Sequence, residues 1–158
     1  MGEEKRWVHE EIVVLPLDAA NAAEAITQLG TRLQEHGFVK DSWIQATIER
    51  EKVYATGLPT AEIGVAIPHT DAEHVLKQAI AVGVLDEPVE FIEMGSTEDK
   101  VLVTIVCALA VTKSESLASL LQQLVEMFQS PGVLRQIADA AEPGEIVAVF
   151  DQNLQAGD

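Results

Sequence analysis

The chain has 158 residues, of which 47% are hydrophobic, and its formal net charge is −16. A chain of this length fits one domain over residues 1–158, and its lack of a run of roughly 20 apolar residues argues against a membrane span, so we expect a soluble, cytoplasmic protein. The negative charge disfavours binding to nucleic acid or to an anionic membrane, and it either favours a basic protein partner or serves solubility alone.

Hydrophobic periodicity predicts one strand and two helices in the first third of the chain. The apolar run at 12–17 is typical of a short buried strand. Apolar residues at helical spacing then predict a helix over about 19–36, which ends at Gly37 because glycine readily adopts the left-handed conformation after a helix. A second helix is predicted across 42–52, with Asp41 as its N-terminal cap.

The rest of the chain predicts strands around a loop-rich middle, followed by helices. Residues 54–73 are interrupted by glycine, proline or threonine every few positions, which is typical of an ordered loop region. An apolar stripe ending at Phe128 predicts a long helix with Ser114 as its cap, and Pro131 and Pro143 each predict the first turn of a short helix. Strands are predicted at 64–67, 79–85, 89–91 and 101–111. This succession indicates a layered α/β domain.

The single cysteine, Cys107, lies in the most apolar of these predicted strands. No internal disulfide is possible, in agreement with a reducing compartment. Nothing nearby in the sequence would lower its pKa, so we interpret Cys107 as a small buried hydrophobic residue rather than a reactive thiol.

His69 is the histidine whose context suggests chemistry. Pro68 fixes its own backbone and restricts Ile67 to extended conformations, so the imidazole is presented from a stiff segment, and the preceding glycines allow close approach of another surface. A neutral imidazole is a competent nucleophile near pH 7 without help from a strong base. On these residues alone, a structural histidine is the more frequent outcome.

The run ATGLPTAEIGVAIPHTDAEHV at 55–75, preceded by Arg50 and Glu51, resembles the active-site signature of one class of enzyme IIA domains. This is the mannitol, fructose and nitrogen-regulatory class of the bacterial phosphoenolpyruvate:sugar phosphotransferase system. Within this class, the segments TGLPT and PHTDAEHV are most similar in sequence to the galactitol-type branch. The resemblance implies a single domain with a central mixed β-sheet flanked by helices.

The resemblance also implies a phosphocarrier, and we expect no metal or cofactor. His69 would accept a phosphoryl group from the carrier HPr and pass it to a cysteine of enzyme IIB, which serves a membrane IIC component for galactitol or a related carbohydrate. Arg50 would stabilise the phosphoryl oxygens, because a guanidinium can donate paired hydrogen bonds, whereas without the resemblance a surface salt bridge to Glu51 or another carboxylate is the simpler role. Thr56, Gly57 and Pro68 would support the site, and Leu58, Val65 and Leu117 would contribute to the docking face.

One position departs from the mannitol and fructose members, which carry a second histidine at the start of the helix after the long strand. By register, Ser116 takes that place. A serine hydroxyl can donate to a phosphoryl oxygen but cannot carry positive charge. The absence of the second histidine favours the galactitol-type branch.

Two other functions remain possible from the sequence. The same domain could act as a regulator that senses phosphorylation on His69 and binds a kinase, transporter or transcription factor. A hydrolase or metal enzyme ranks far lower, because no nucleophile-elbow, Walker or dinucleotide motif occurs. Asp71 and Glu73 beside His69 match no metal-binding spacing, and we interpret them as first-turn carboxylates of a helix with His74 on its surface.

Overall fold

The computed structural model describes residues 6–154, and the strands of this part of the chain form one five-stranded sheet. Within these residues the strands are β1 (Val13–Leu17), β2 (Gly57–Leu58), β3 (Gly64–Ala66), β4 (Ala79–Ile92) and β5 (Lys100–Ala110). The α-helices of the same range are α1 (Ala22–Glu35), α2 (Trp43–Val53), α3 (Ser114–Gln129), α4 (Val133–Ala138) and α5 (Pro143–Asn153).

The sheet is mixed, with the strand order β1-β4-β5-β3-β2. A long antiparallel hairpin of β4 and β5 forms its centre. The outer strands β1 and β3 pair with β4 and β5 in parallel, and β2 closes the edge antiparallel to β3. The mixed sheet flanked by helices that the sequence predicted is therefore confirmed.

Each face of the sheet buries its own hydrophobic core. Ile80 and Val82 pack on one face with α3, α4 and α5, whereas Ala79 and Ala81 pack on the other with α1 and α2. This alternation follows from the two-residue period of a strand. The small residues on the second face bring the helices close, and at Gly83 a Cβ atom would lie only 2.5 Å from Leu17 Cδ2.

Helix ends agree with the predictions in some places and differ in others. Gly37 has a φ of +81° directly after α1, as predicted. The prediction that Asp41 caps α2 is wrong: Ser42 precedes the helix in a helical conformation, because the Trp43 N–H bonds the Lys40 carbonyl and the chain enters through a turn.

Differences also occur around α3 to α5. Ser114 is the first residue of α3 rather than its cap, since Lys113 before it has the extended backbone of a capping position. Pro143 opens α5 as predicted, whereas Pro131 lies outside α4. Among the described residues, no helix is long and apolar enough to cross a membrane.

The strand predictions differ from the structure mainly in continuity. The predicted strands at 79–85 and 89–91 are one strand, β4, in which the exposed residues 86–88 form an irregularity in the pairing with β5. The two-residue β2 was not predicted. Cys107 is fully buried in β5, and this burial raises the pKa of its thiol, which agrees with the structural interpretation.

Candidate functional site

His69 lies on a short segment that leaves β3 and is tied to the body of the protein on both sides. The Leu109 N–H of β5 donates to the Pro68 carbonyl at 2.9 Å, and the Ile67 N–H donates to Thr56 Oγ1 at 3.2 Å. Ile67 is fully buried and His69 is 8% exposed. The stiff presentation inferred from Pro68 therefore has specific anchors.

The imidazole of His69 is held in one orientation by its own backbone. Nδ1 lies 2.8 Å from the Ile67 carbonyl oxygen, and a carbonyl can only accept, so Nδ1 carries the proton. The lone pair of the neutral ring is consequently on Nε2. This is the tautomer required for a nucleophile that reacts through Nε2.

The surroundings of His69 also favour its neutral form. Burial lowers the pKa of His69 below its ordinary value of 6.5, against the effect of the hydrogen bond to Ile67. Of the two nearby charges, Arg50 lowers this pKa and Asp71 raises it. The ring is therefore unprotonated at pH 7 and available for attack.

Arg50, in the last turn of α2, lines the same cavity as His69. Its Nη1 lies 3.7 Å from Asp71 Oδ1, and its guanidinium carbon lies 4.9 Å from the centre of the Tyr54 ring. Its Nε is buried and has no hydrogen-bond partner among the described residues. Arg50 thus makes a salt bridge to Asp71 and not to Glu51, and it keeps at least one donor unused.

The cavity has a volume of about 260 Å³ and is formed by four separate segments. Asp71 and Glu73 belong to it, although the helix predicted there is only a three-residue 3-10 turn, Ala72–His74, which Asp71 precedes. His74 bonds the Ser42 hydroxyl through Nδ1 at 2.8 Å. The lining residues are Arg50, His69, Thr70, Asp71, Ala72, Glu73, Val111, Ser114 and Leu117.

Thr56 connects this site to Glu51. Its N–H and its hydroxyl each lie 2.8 Å from one oxygen of the Glu51 carboxylate. Burial raises the pKa of Glu51 from its ordinary 4.5 to about 7, while both bonds from Thr56 act in the opposite direction. The supporting role predicted for Thr56 therefore has a defined partner, which the sequence did not indicate beyond the Arg-Glu pair.

The other predicted supporting residues have different positions. At Gly57 a Cβ atom would lie 2.6 Å from the Ile92 carbonyl oxygen, so this glycine permits close packing of β2 on the end of β4. Pro68 is buried and anchored as described. Ser116 is half-buried in the first turn of α3 and does not line the cavity of His69, whereas Ser114 does.

The three apolar residues predicted to contribute to a docking face do not share one environment. Val65 is fully buried and cannot contact a partner, because its side chain lies inside the sheet core. Leu58 and Leu117 are half-buried and remain available. Sequence reasoning missed Tyr54, which is 63% exposed beside Arg50.

The fold is that of a class of phosphotransferases that pass phosphate between proteins. The model of the family described as "Phosphoenolpyruvate-dependent sugar phosphotransferase system, EIIA 2" matches residues 7–153. The chain belongs to this family.

Relatives and solved structures similar to this chain include proteins of galactitol and mannitol systems. The galactitol-specific EIIA component of Escherichia coli (strain K12) is 30% identical over 120 residues, which are 76% of this chain and 79% of that protein. The crystal structure of IIA mannitol from Escherichia coli has a TM-score of 0.74 at 25% identity, covering 90% of this chain and 97% of that one. A complex of enzyme IIA mannitol with phosphorylated enzyme IIB mannitol, also from Escherichia coli, has a TM-score of 0.75 at 24% identity, covering 91% and 96% of the two chains.

Proposed function

We propose that this protein accepts a phosphoryl group from phospho-HPr on Nε2 of His69 and passes it to a cysteine of an enzyme IIB. The observation that carries this proposal is the 2.8 Å bond from His69 Nδ1 to the Ile67 carbonyl, because it leaves Nε2 as the nucleophilic nitrogen. Membership of the EIIA family supplies the kind of reaction, and the buried imidazole supplies the acceptor.

Both transfers balance without a cofactor. In the first, the Nε2 lone pair forms a bond to phosphorus while the bond from phosphorus to the HPr imidazole breaks, and HPr recovers its lone pair. In the second, a IIB thiolate attacks the same phosphorus and His69 recovers its lone pair. Nδ1 keeps its proton throughout, and the Ile67 carbonyl stabilises the positive charge that the ring acquires.

Arg50 is the residue we assign to the phosphoryl oxygens. Arg50 lines the same cavity as His69, so its guanidinium N–H groups can donate charged hydrogen bonds to a phosphoryl group on His69. Asp71 holds Arg50 from the exposed side at 3.7 Å. Ser114, rather than Ser116, is the hydroxyl beside this space.

The two partners would dock on one face, since both must reach His69. We assign this face to residues 56–70, the start of α3 and the exposed Tyr54, with Leu58 and Leu117 as apolar contacts. HPr and IIB would then compete. A net charge of −16 fits a partner whose docking surface is basic.

Phosphorylation of the purified protein is the decisive experiment. Given phosphoenolpyruvate, enzyme I and HPr, the protein should gain one acid-labile phosphate, and His69→Ala should gain none. Arg50→Lys keeps a charge but loses the planar pair of donors, so transfer should slow by about 10- to 100-fold. Absence of acid-labile phosphate on the wild type, or its persistence in His69→Ala, would refute the proposal.

Galactitol or a related carbohydrate is the substrate class we propose, from the 30% identity to the galactitol-specific component. The sugar itself contacts the membrane IIC partner, so the test uses partners: phosphorylated protein is offered to galactitol-type and mannitol-type IIB proteins. Faster transfer to the galactitol-type protein is expected. Phosphorylation of His69 with transfer to neither would favour the regulatory role instead.

A further inference from the structure

Glu51 is linked to the ring of His69 by hydrogen bonds in series, of which only the last, between His69 and Ile67, belongs to the transfer described above. The carboxylate accepts the Thr56 N–H and the Thr56 hydroxyl at 2.8 Å each. Thr56 Oγ1 in turn accepts the Ile67 N–H at 3.2 Å, and the Ile67 carbonyl accepts His69 Nδ1–H at 2.8 Å. The series therefore begins at a half-buried carboxylate and ends at the nucleophile.

The direction of each bond follows from what each group can donate. An ionised carboxylate only accepts, so the Thr56 hydroxyl must point its hydrogen at Glu51 and offer a lone pair to Ile67. Ile67 is fully buried, and Pro68 after it limits its backbone to extended conformations. Fixing the Ile67 N–H consequently fixes its carbonyl. These two groups belong to different peptide units, so the link acts through position and not through shared electrons.

We propose that Glu51 is a positioning residue for His69, which acts through Thr56 and Ile67 to keep the proton on Nδ1 and the lone pair on Nε2. Neighbouring residues of α2 then serve the same site in two ways, because Arg50 lines the cavity and Glu51 holds the loop. The inference rests on the proposed function, since the tautomer matters only if Nε2 accepts the phosphoryl group.

Four substitutions separate positioning from general stability. Glu51→Gln is nearly isosteric but replaces one of the two carboxylate oxygens with an amide NH2 that only donates, so the Thr56 N–H and the Thr56 hydroxyl no longer each have their own oxygen to donate to. Thr56→Val removes the hydroxyl and leaves the Ile67 N–H without an acceptor, whereas Thr56→Ser retains it. The matched control is Thr47→Val in α2, the helix that carries Glu51. Thr47 is fully buried and its hydroxyl has no partner among the described residues.

The first readout is the tautomer of His69 in the unphosphorylated protein, from two-bond ¹H–¹⁵N NMR spectra of the imidazole at pH 8. Burial raises the pKa of Glu51 to about 7, and pH 8 lies above this value, so the carboxyl group is mostly ionised there. We expect the Nδ1–H form in the wild type, Thr56→Ser and Thr47→Val, and a raised share of the Nε2–H form in Glu51→Gln and Thr56→Val.

The second readout is transfer from phospho-HPr. Because a misplaced nucleophile slows the chemical step, kcat should fall by about 10- to 100-fold in Glu51→Gln and Thr56→Val. KM for phospho-HPr should stay unchanged, since Thr56 is only 4% exposed, and Thr56→Ser should recover kcat.

If Glu51→Gln and Thr56→Val have the same tautomer populations and the same kcat as the wild type, the inference is overturned. If Thr56→Val does not fold, the comparison of Glu51→Gln with Thr56→Ser decides in its place. The two proposals can also fail separately. If the variants show the expected tautomer shifts but the wild type takes no phosphate, positioning by Glu51 is supported and the proposed function is refuted.

Discussion

At the scale of single residues, the two charges beside His69 act on its ionisation with opposite signs. The Arg50 charge lowers the pKa of His69 and the Asp71 charge raises it. We therefore expect Arg50→Gln to raise this pKa and Asp71→Asn to lower it further, because each removes one of the two charges. NMR titration of the His69 ring measures both shifts. Glu98→Gln, in the turn between β4 and β5, is a control that should leave the pKa unchanged; shifts of equal sign in the first two variants would contradict the assignment.

Glu51 predicts how stability depends on pH. Its folded-state pKa of about 7 lies above the ordinary 4.5, so its contribution to stability is fully present below about pH 4.5 and is lost as the pH rises through 7. Glu51→Gln cannot ionise, so its stability relative to the wild type should improve between pH 5 and pH 8, by on the order of 1–3 kcal/mol. Urea unfolding of both proteins across this range measures the difference.

The comparison with Glu51→Gln removes other pH effects. His69 has a pKa lowered mainly by burial and so loses its own contribution as the pH falls below 6.5, but this burial is common to both proteins and most of the loss cancels. A constant offset between the two proteins is expected from the altered bonds to Thr56. A difference in stability that does not vary with pH would show that Glu51 is ionised throughout.

At the scale of elements, the packing of the edge strand β2 against the end of β4 requires a glycine at position 57. A Cβ atom on Gly57 would lie 2.6 Å from a main-chain oxygen of β4, which cannot rotate away. Gly57→Ala should therefore reduce the free energy of unfolding by about 1–3 kcal/mol. Gly144→Ala in α5 is the control, because its nearest atoms are 3.8 Å away, and it should be neutral or stabilising by up to about 1 kcal/mol. Denaturant unfolding distinguishes the two; equal effects would contradict this explanation.

The elements also show what a single sequence can predict. Periodicity identified α1, α3 and the apolar hairpin strands, because each buries a regular stripe of side chains. It divided β4 in two, since the exposed residues 86–88 break the apolar pattern while the backbone pairing continues on both sides of them. The two residues of β2 are too short for any period to appear.

The site was predictable in part for a similar reason. His69, Arg50 and Thr56 come from the motif and do converge on one region, through direct lining of the cavity or through Ile67. Which serine lines the cavity, Ser114 or the predicted Ser116, depends on where the first turn of α3 begins. Spacing along the sequence does not determine that start to one residue. The role proposed for Glu51 depends on which face of α2 meets the loop at Thr56, and this is a tertiary contact.

At the scale of the whole molecule, the net charge of −16 should govern encounter with the proposed donor, HPr. Glu115→Lys reverses an exposed charge in the first turn of α3, within the proposed docking face, and should slow association several-fold at low salt, with a smaller effect as ionic strength rises. Glu98→Lys makes the same change in net charge just before the start of β5. The His69 segment is bonded to Leu109 at the other end of that strand, so Glu98→Lys should have little effect on the association rate. Stopped-flow association rates across salt concentrations test this. A slowing by Glu115→Lys that is independent of salt would contradict it.

The burial of Cys107 has a practical consequence for studying the two transfers separately. It is the only thiol of the chain and is fully enclosed in β5, with a pKa raised by that burial. A IIB acceptor would present a reactive thiolate by comparison. An alkylating reagent such as iodoacetamide, added to a mixture of the two native proteins, should inactivate the acceptor while this chain keeps its phosphate. The phosphorylated intermediate could then be accumulated and handled without altering a single residue of its sequence.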